Sequence, residues 1–146
     1  KRTICIPVDE SENSKYVVDW TIQKLLNSET DQVVLLNVRP IPVDSYLMDS
    51  EFPYLLPSET INKMDETAKE YSHQLLKKYG RIYQTNGIHC RAVALRGDTR
   101  QELELKIEKI HPDLVIIGTR GLGLIKRALL GSVSEHLIHH LKVPVL

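Results

Sequence analysis

The chain has 146 residues, 42% of them hydrophobic, and 19 Lys and Arg balance 19 Asp and Glu for a formal net charge of zero. One domain of that length can bury a substantial core. The cancelling charges argue against a nucleic-acid partner, which requires a basic face for phosphates. No run reaches the roughly 18 apolar residues of a membrane span, and the opening apolar stretch is short and interrupted by Pro7. The expectation is a single cytoplasmic domain over residues 1–146 with no membrane partner.

In chain order, Thr3–Val8 is a short apolar, β-branched run, followed by a helical stripe of Val18, Ile22, Leu25 and Leu26. Val33–Val38 is a second apolar run, and the near-continuous character of both suits strands covered on two faces of a parallel sheet. A longer stripe runs from Ile61 through Met64, Ala68, Tyr71, Leu75 and Tyr79 to Ile82, with Ser58 as the expected N-cap. Ile88–Leu95 carries His89 and Arg91, which places it near an edge. Leu103, Ile107 and Ile110 form a third stripe, opened by Asp98 and closed before Pro112. Asp113–Ile117 is the next strand, then a stripe of Val133, Leu137 and Leu141, and Val143–Leu146 is a last strand kept from the sheet centre by Pro144.

The order β-α-β-α-β-α-β-α-β predicts an α/β fold: three layers, with helices on both faces of a five-stranded parallel sheet and right-handed crossovers. Two strand orders are natural, 3-2-1-4-5 and 2-1-3-4-5, and both bind ligands at the strands' carboxyl ends, where the winding reverses. The connection from Arg39 to Pro57 is long and rich in proline and aromatic residues. It reads as an ordered surface loop, with a lid or partner contact as the functional alternative.

The fourth strand runs into Ile117-Gly118-Thr119-Arg120-Gly121, and Gly131-Ser132-Val133-Ser134 opens the last helix. Gly, two residues, Gly, nine residues, Gly, Ser is the spacing. Glycines allow close approach of backbone to an anion, and the Ser132 and Val133 amides at a helix N-terminus favour phosphate. The Ser132 and Ser134 hydroxyls and the cations Arg120, Lys126 and Arg127 can add to such a cradle. Asp9, at the end of the first strand, has two readings: a contact for ribose, base or metal-bound water, or a cap for the following helix. The end of the second strand, at Val38, can offer main-chain groups to a purine edge.

On these residues the chain resembles a universal stress protein of the ATP-binding subclass. The similarity spans nearly the whole length, from Ile6-Pro7-Val8-Asp9-Glu10-Ser11 through Asn37-Val38 and Gly97-Asp98 to the glycine pattern and Val143-Pro144-Val145-Leu146. The resemblance implies the order 3-2-1-4-5, the Rossmann-like arrangement of the adenine nucleotide alpha hydrolase-like folds. It implies ATP with Mg²⁺ or Mn²⁺ across the switch point. Pro7, Val8 and Val38 then lie near adenine, and Asp9 near ribose and base, touching metal at most through water. Gly118, Arg120 and Gly121 take the ribose and phosphate side, and Gly131, Ser132 and Val133 the triphosphate. It also implies a homodimer through Val143–Leu146, an apolar edge in its own right.

No activated water with a neighbouring base is legible, and no Lys-Ser/Thr follows a glycine loop. The reading is therefore a regulatory or sensing module in the stress response, with at most slow ATP hydrolysis. The alternatives are a nucleotide-free dimeric interaction module and an adenylyl-transferring enzyme. Cys5 and Cys90 read as reduced structural thiols. His136, His139 and His140 share helical spacing that could suit zinc, but read as exposed groups or neighbours of the dimer seam. Arg96-Gly97-Asp98 reads as a strand-to-helix turn with Asp98 as N-cap rather than an adhesion tripeptide.

Overall fold

A computed structural model describes residues 1–42, 57–119 and 131–146. Its elements are β1 (Arg2–Pro7), α1 (Glu12–Lys24), β2 (Asp31–Arg39), α2 (Ser58–Thr85), β3 (His89–Arg96), α3 (Thr99–Ile110), β4 (Leu114–Val115) and α4 (Ser132–His140). The strands pair in parallel in the order β3-β2-β1-β4, so β3 is the edge strand its polar residues suggested.

The expected five-stranded sheet is corrected to four strands. The Val143–Leu146 segment lies beside β4 but makes only one bridge, Val115 with Val145. Three hydrogen bonds hold it: Val115 N to the Pro144 carbonyl (2.9 Å), Leu146 N to the Val115 carbonyl (2.8 Å) and Ile117 N to the Leu146 carbonyl (3.0 Å). Pro144 offers no N–H, and the pairing is too short to make a strand. Asp113–Ile117 likewise contracts to Leu114–Val115, although Ile116 N still reaches the Cys5 carbonyl at 2.9 Å.

Strand alternation sends the sheet's side chains to two cores. Ile4, Ile6, Val33 and Leu35 pack with Val17 and Val18 of α1 and with Leu75, Leu76, Tyr79 and Tyr83 of α2. Cys5, Val34, Leu36 and Val115 pack with Leu103 and Ile107 of α3 and Leu137 of α4. This is the three-layer arrangement. Buried Tyr83 places its hydroxyl 2.8 Å from Thr21 Oγ1, which joins α2 to α1 and pairs both hydroxyls inside the first core. The two cysteines fall on opposite faces, are unpaired, and have thiols pushed up by burial, Cys5 to about 12 and Cys90 to about 11.

Side chains cap the starts of α1 and α3 but not those of α2 and α4. Asp98 caps α3 by accepting from Gln101 N, and His111 closes it in the left-handed region at φ 50°. Ser58 is not the cap of α2; it is the first helical residue. Pro57 precedes it with no side-chain cap, so the rigid φ of proline sets the helix start in place of a hydroxyl. Among the described residues no helix is long and apolar enough to cross a membrane.

Candidate functional site

The C-terminal ends of β1 and β2 separate after one further bond, Val8 N to the Leu36 carbonyl at 2.8 Å. Along β2 the peptide groups alternate sides: the Leu36 carbonyl serves the β1 side, and the Arg39 carbonyl accepts from Gly97 on the β3 side at 3.0 Å. The N–H and C=O of Val38 therefore face the β1 side at the point where β1 has ended.

Asp9 follows at once and organises the start of α1. Its Oδ1 accepts from Ser11 N (2.9 Å), from the Ser11 hydroxyl and from Ser14 Oγ (2.7 Å). Ser14 Oγ in turn accepts from Asp9 N at 2.9 Å. Ser11 is the N-cap of α1, accepting from Ser14 N at 3.3 Å. The cap reading of Asp9 is modified: Ser11 is the N-cap, Asp9 supports it from the preceding turn, and Asp9 also lines the opening beside the ends of β1 and β2.

On the other side, Ile117 and Gly118 leave β4 against α1. A Cβ on Gly118 would lie 3.0 Å from Asn13 Cβ and 3.1 Å from the Asn13 carbonyl oxygen. The chain passes close to α1 there, so any side chain at 118 would make Asn13 shift by a few tenths of an ångström. Gly131 is different. As N-cap of α4 it has φ −64° and ψ 149°, accessible to any residue. It contributes no side-chain cap, so the first-turn amides of α4 keep the polarity that attracts an anion. Ser134 Oγ donates to the Gly131 carbonyl at 2.9 Å, which directs its hydrogen inward along the helix.

One cleft joins these parts. Pro7, Val8, Asp9, Val38, Gly118, Gly131, Ser132, Val133 and Ser134, all named from the sequence, line it. Arg120 and Gly121 lie outside the described residues, as do Lys126, Arg127 and positions 43–56 of the long connection. The sequence reading missed Ser11, Asn13, Ser14, Asn37, Thr99 and Leu103 as lining. Thr99 and Leu103 were findable: α3 follows β3, so its first turns share the carboxyl edge of the sheet with the other strand ends. Asp9 is the one carboxylate among the described lining residues.

The histidines of α4 lie apart from this cleft. His136 Nε2 sits 2.6 Å from Glu104 Oε2 of α3. His140 stacks on His136 with ring centroids 4.0 Å apart and donates from Nδ1 to the His136 carbonyl at 2.8 Å. Among the described residues no group of three His, Cys, Asp or Glu side chains could hold a metal ion.

Comparison with known proteins agrees with this fold. The family model described as Universal stress protein family matches residues 1–146. A universal stress protein A-like protein from Arabidopsis thaliana is 27% identical over 138 residues, covering 93% of this chain and 78% of its own. Among solved structures, an Arabidopsis thaliana universal stress protein family protein with AMP bound superposes with a TM-score of 0.71 at 21% identity, over 100% of this chain and 90% of that one. A universal stress protein in complex with cAMP gives 0.66 at 18% identity, over 99% and 94%.

Proposed function

The chain belongs to the universal stress protein family, and on that premise we propose that it is an ATP-binding, dimeric regulatory module of the stress response, formed by a single domain over residues 1–146. The observation that carries this reading is the single cleft, in which the ends of β1 and β2, the exit of β4 and the N-terminus of α4 meet. Each wall offers a different part of a nucleotide what it needs. Main-chain groups of Val38 suit a purine edge, with Pro7 and Val8 as the apolar floor. Asp9 and Gly118 flank the place for ribose. The amides of Ser132 and Val133 with the Ser132 hydroxyl suit phosphate oxygens, and Arg120 and Gly121 extend that side by sequence. Relatives of the same fold with AMP and with cAMP support an adenine nucleotide.

Mg²⁺ or Mn²⁺ would accompany the triphosphate, screening its charge. Asp9 Oδ1 already accepts three hydrogen bonds, so the metal would be held by phosphate oxygens and reach Asp9 through water. With that carboxylate committed to the α1 cap, the cleft supports binding ahead of rapid hydrolysis. Dimerisation is assigned to the Val143–Leu146 edge. Leu146 N and the Pro144 carbonyl turn inward to Val115, so the peptide groups of Val143 and Val145 turn outward, where a second copy can pair. Unpaired cysteines on opposite faces accord with a reducing, cytoplasmic setting.

The test is to denature the purified protein, resolve released small molecules by anion exchange, and titrate the emptied protein with Mg-ATP by calorimetry. Released ATP or saturable heat is expected. Neither signal would leave a nucleotide-free dimeric module, and released ADP or AMP would favour an enzyme.

A further inference from the structure

We propose that Asn37 and Ser72 are positioning residues that hold the gap between β1 and β2 open to a purine base, and so connect α2 to the bound nucleotide. This rests on the nucleotide reading above. Asn37 Nδ2 donates to the Val8 carbonyl at 2.8 Å, and Ser72 Oγ donates to Asn37 Oδ1 at 2.6 Å. The amide orientation is forced, because a main-chain carbonyl can only accept. Ser72 is 1% exposed, on the buried side of α2. Its hydroxyl therefore has a fixed place from which to hold the amide.

The consequence concerns Val38. The β1–β2 register ends at Pro7 with Leu36, and the Val8 amide adds one bond to the Leu36 carbonyl. The next rung of a parallel ladder would join Val38 N–H to the Val8 carbonyl. Asn37 Nδ2 occupies that carbonyl from the side. The strands can part there without orphaning the Val8 carbonyl, and the Val38 main chain stays turned to the cleft. An apolar residue at 37 would leave that carbonyl unsatisfied, and closing the ladder by one rung would be the cheapest repair. A strand end zipped in this way has no main-chain edge to offer a base.

The experiment compares the unaltered protein with Asn37→Val, Ser72→Ala and Ser72→Thr. Calorimetry supplies dissociation constants for Mg-ATP, Mg-GTP and Mg-tripolyphosphate, and amide exchange follows Val38. Asn37→Val is expected to weaken ATP about tenfold, a hydrogen bond's worth of free energy, while leaving tripolyphosphate unchanged, lowering the ATP-to-GTP preference and protecting the Val38 amide in the unliganded protein. Ser72→Ala should move the same way by less, and Ser72→Thr, which keeps the hydroxyl, should restore the original preference. Equal weakening of ATP and tripolyphosphate, or an unchanged preference, overturns the positioning role while leaving the nucleotide reading intact. Absence of ATP binding by the unaltered protein overturns both. If Asn37→Val does not fold, the Ser72 pair decides by the same criteria.

Discussion

Asp9 and Ser14 are bonded to each other twice: the Asp9 amide donates to Ser14 Oγ at 2.9 Å, and that hydroxyl donates to Asp9 Oδ1 at 2.7 Å. The pair ties the last turn of chain before α1 to the helix itself, at the rim of the cleft. Ser14 is buried, so neither of its bonds has water as a ready substitute.

Two substitutions separate the structural and ligand duties of Asp9. Ser14→Ala removes the reciprocal pair but keeps the carboxylate. It should cost about 1–3 kcal/mol of stability, seen in urea midpoints, with ATP affinity little changed. Asp9→Ala should cost a similar amount and also weaken ATP, by about tenfold for one lost bond. Equal ATP affinity in the two variants would assign Asp9 to the cap alone.

Gly131→Val tests the phosphate side. With φ −64° the position accepts a β-branched residue, and no cap hydrogen bond is lost. The fold should persist with a stability change of about 1 kcal/mol or less. A branched side chain at the head of α4 would keep phosphate from the Ser132 and Val133 amides, so Mg-ATP binding by calorimetry should fall about a hundredfold, near 2.7 kcal/mol. Normal binding would place the phosphates elsewhere.

Val145→Pro tests the dimer edge. The three bonds holding the last segment to β4 use the Pro144 and Leu146 carbonyls and the Leu146 amide, not the Val145 amide. Proline at 145 should leave these in place and remove an outward donor. Sedimentation equilibrium should show a dimer for the unaltered protein and a monomer for the variant, at comparable thermal stability. A dimer that survives the substitution would locate the interface on another surface.

Acid sensitivity should come in part from the far end of the sheet. Asp31 is 1% exposed and accepts from Arg2 Nε at 3.0 Å and Nη2 at 2.8 Å, and from Asn27 N at 2.9 Å. Burial alone would raise its carboxyl. The bonds from Arg2 and Asn27 with the Arg2 charge outweigh burial and hold it below the usual carboxylate range. A lowered folded value means that the stabilisation is complete above the unfolded value of about 3.9 and is lost as pH falls through the folded one. Urea midpoints should drop from about pH 5 downward, and Asp31→Asn should flatten that drop. An identical acid profile in the variant would contradict this coupling.

Much of this molecule was legible in one dimension. The near-continuous apolar runs at Thr3–Val8 and Val33–Val38 mark strands covered on two faces, and the stripe from Ile61 to Ile82 marks a helix by its spacing of three and four. Asp98 announced the start of α3 for an equally local reason: its side chain bonds an amide three residues on. The glycine-serine pattern marked the strand exit and the head of α4 without reference to the rest of the chain. What the sequence could not settle was decided by contacts distant along it. The shortness of β4 and of the last segment shows only in their pairing: β4 meets β1 at Leu114 and Val115, and the last segment meets β4 in one bridge. The tight approach at Gly118 comes from Asn13, in the first turn of α1. The place of Asn37 comes from Ser72 and Val8, 35 and 29 residues away. Local periodicity and capping act through neighbours the sequence displays, whereas the shape of the cleft depends on which strand ends the sheet brings side by side, and that exists only once the layers have packed.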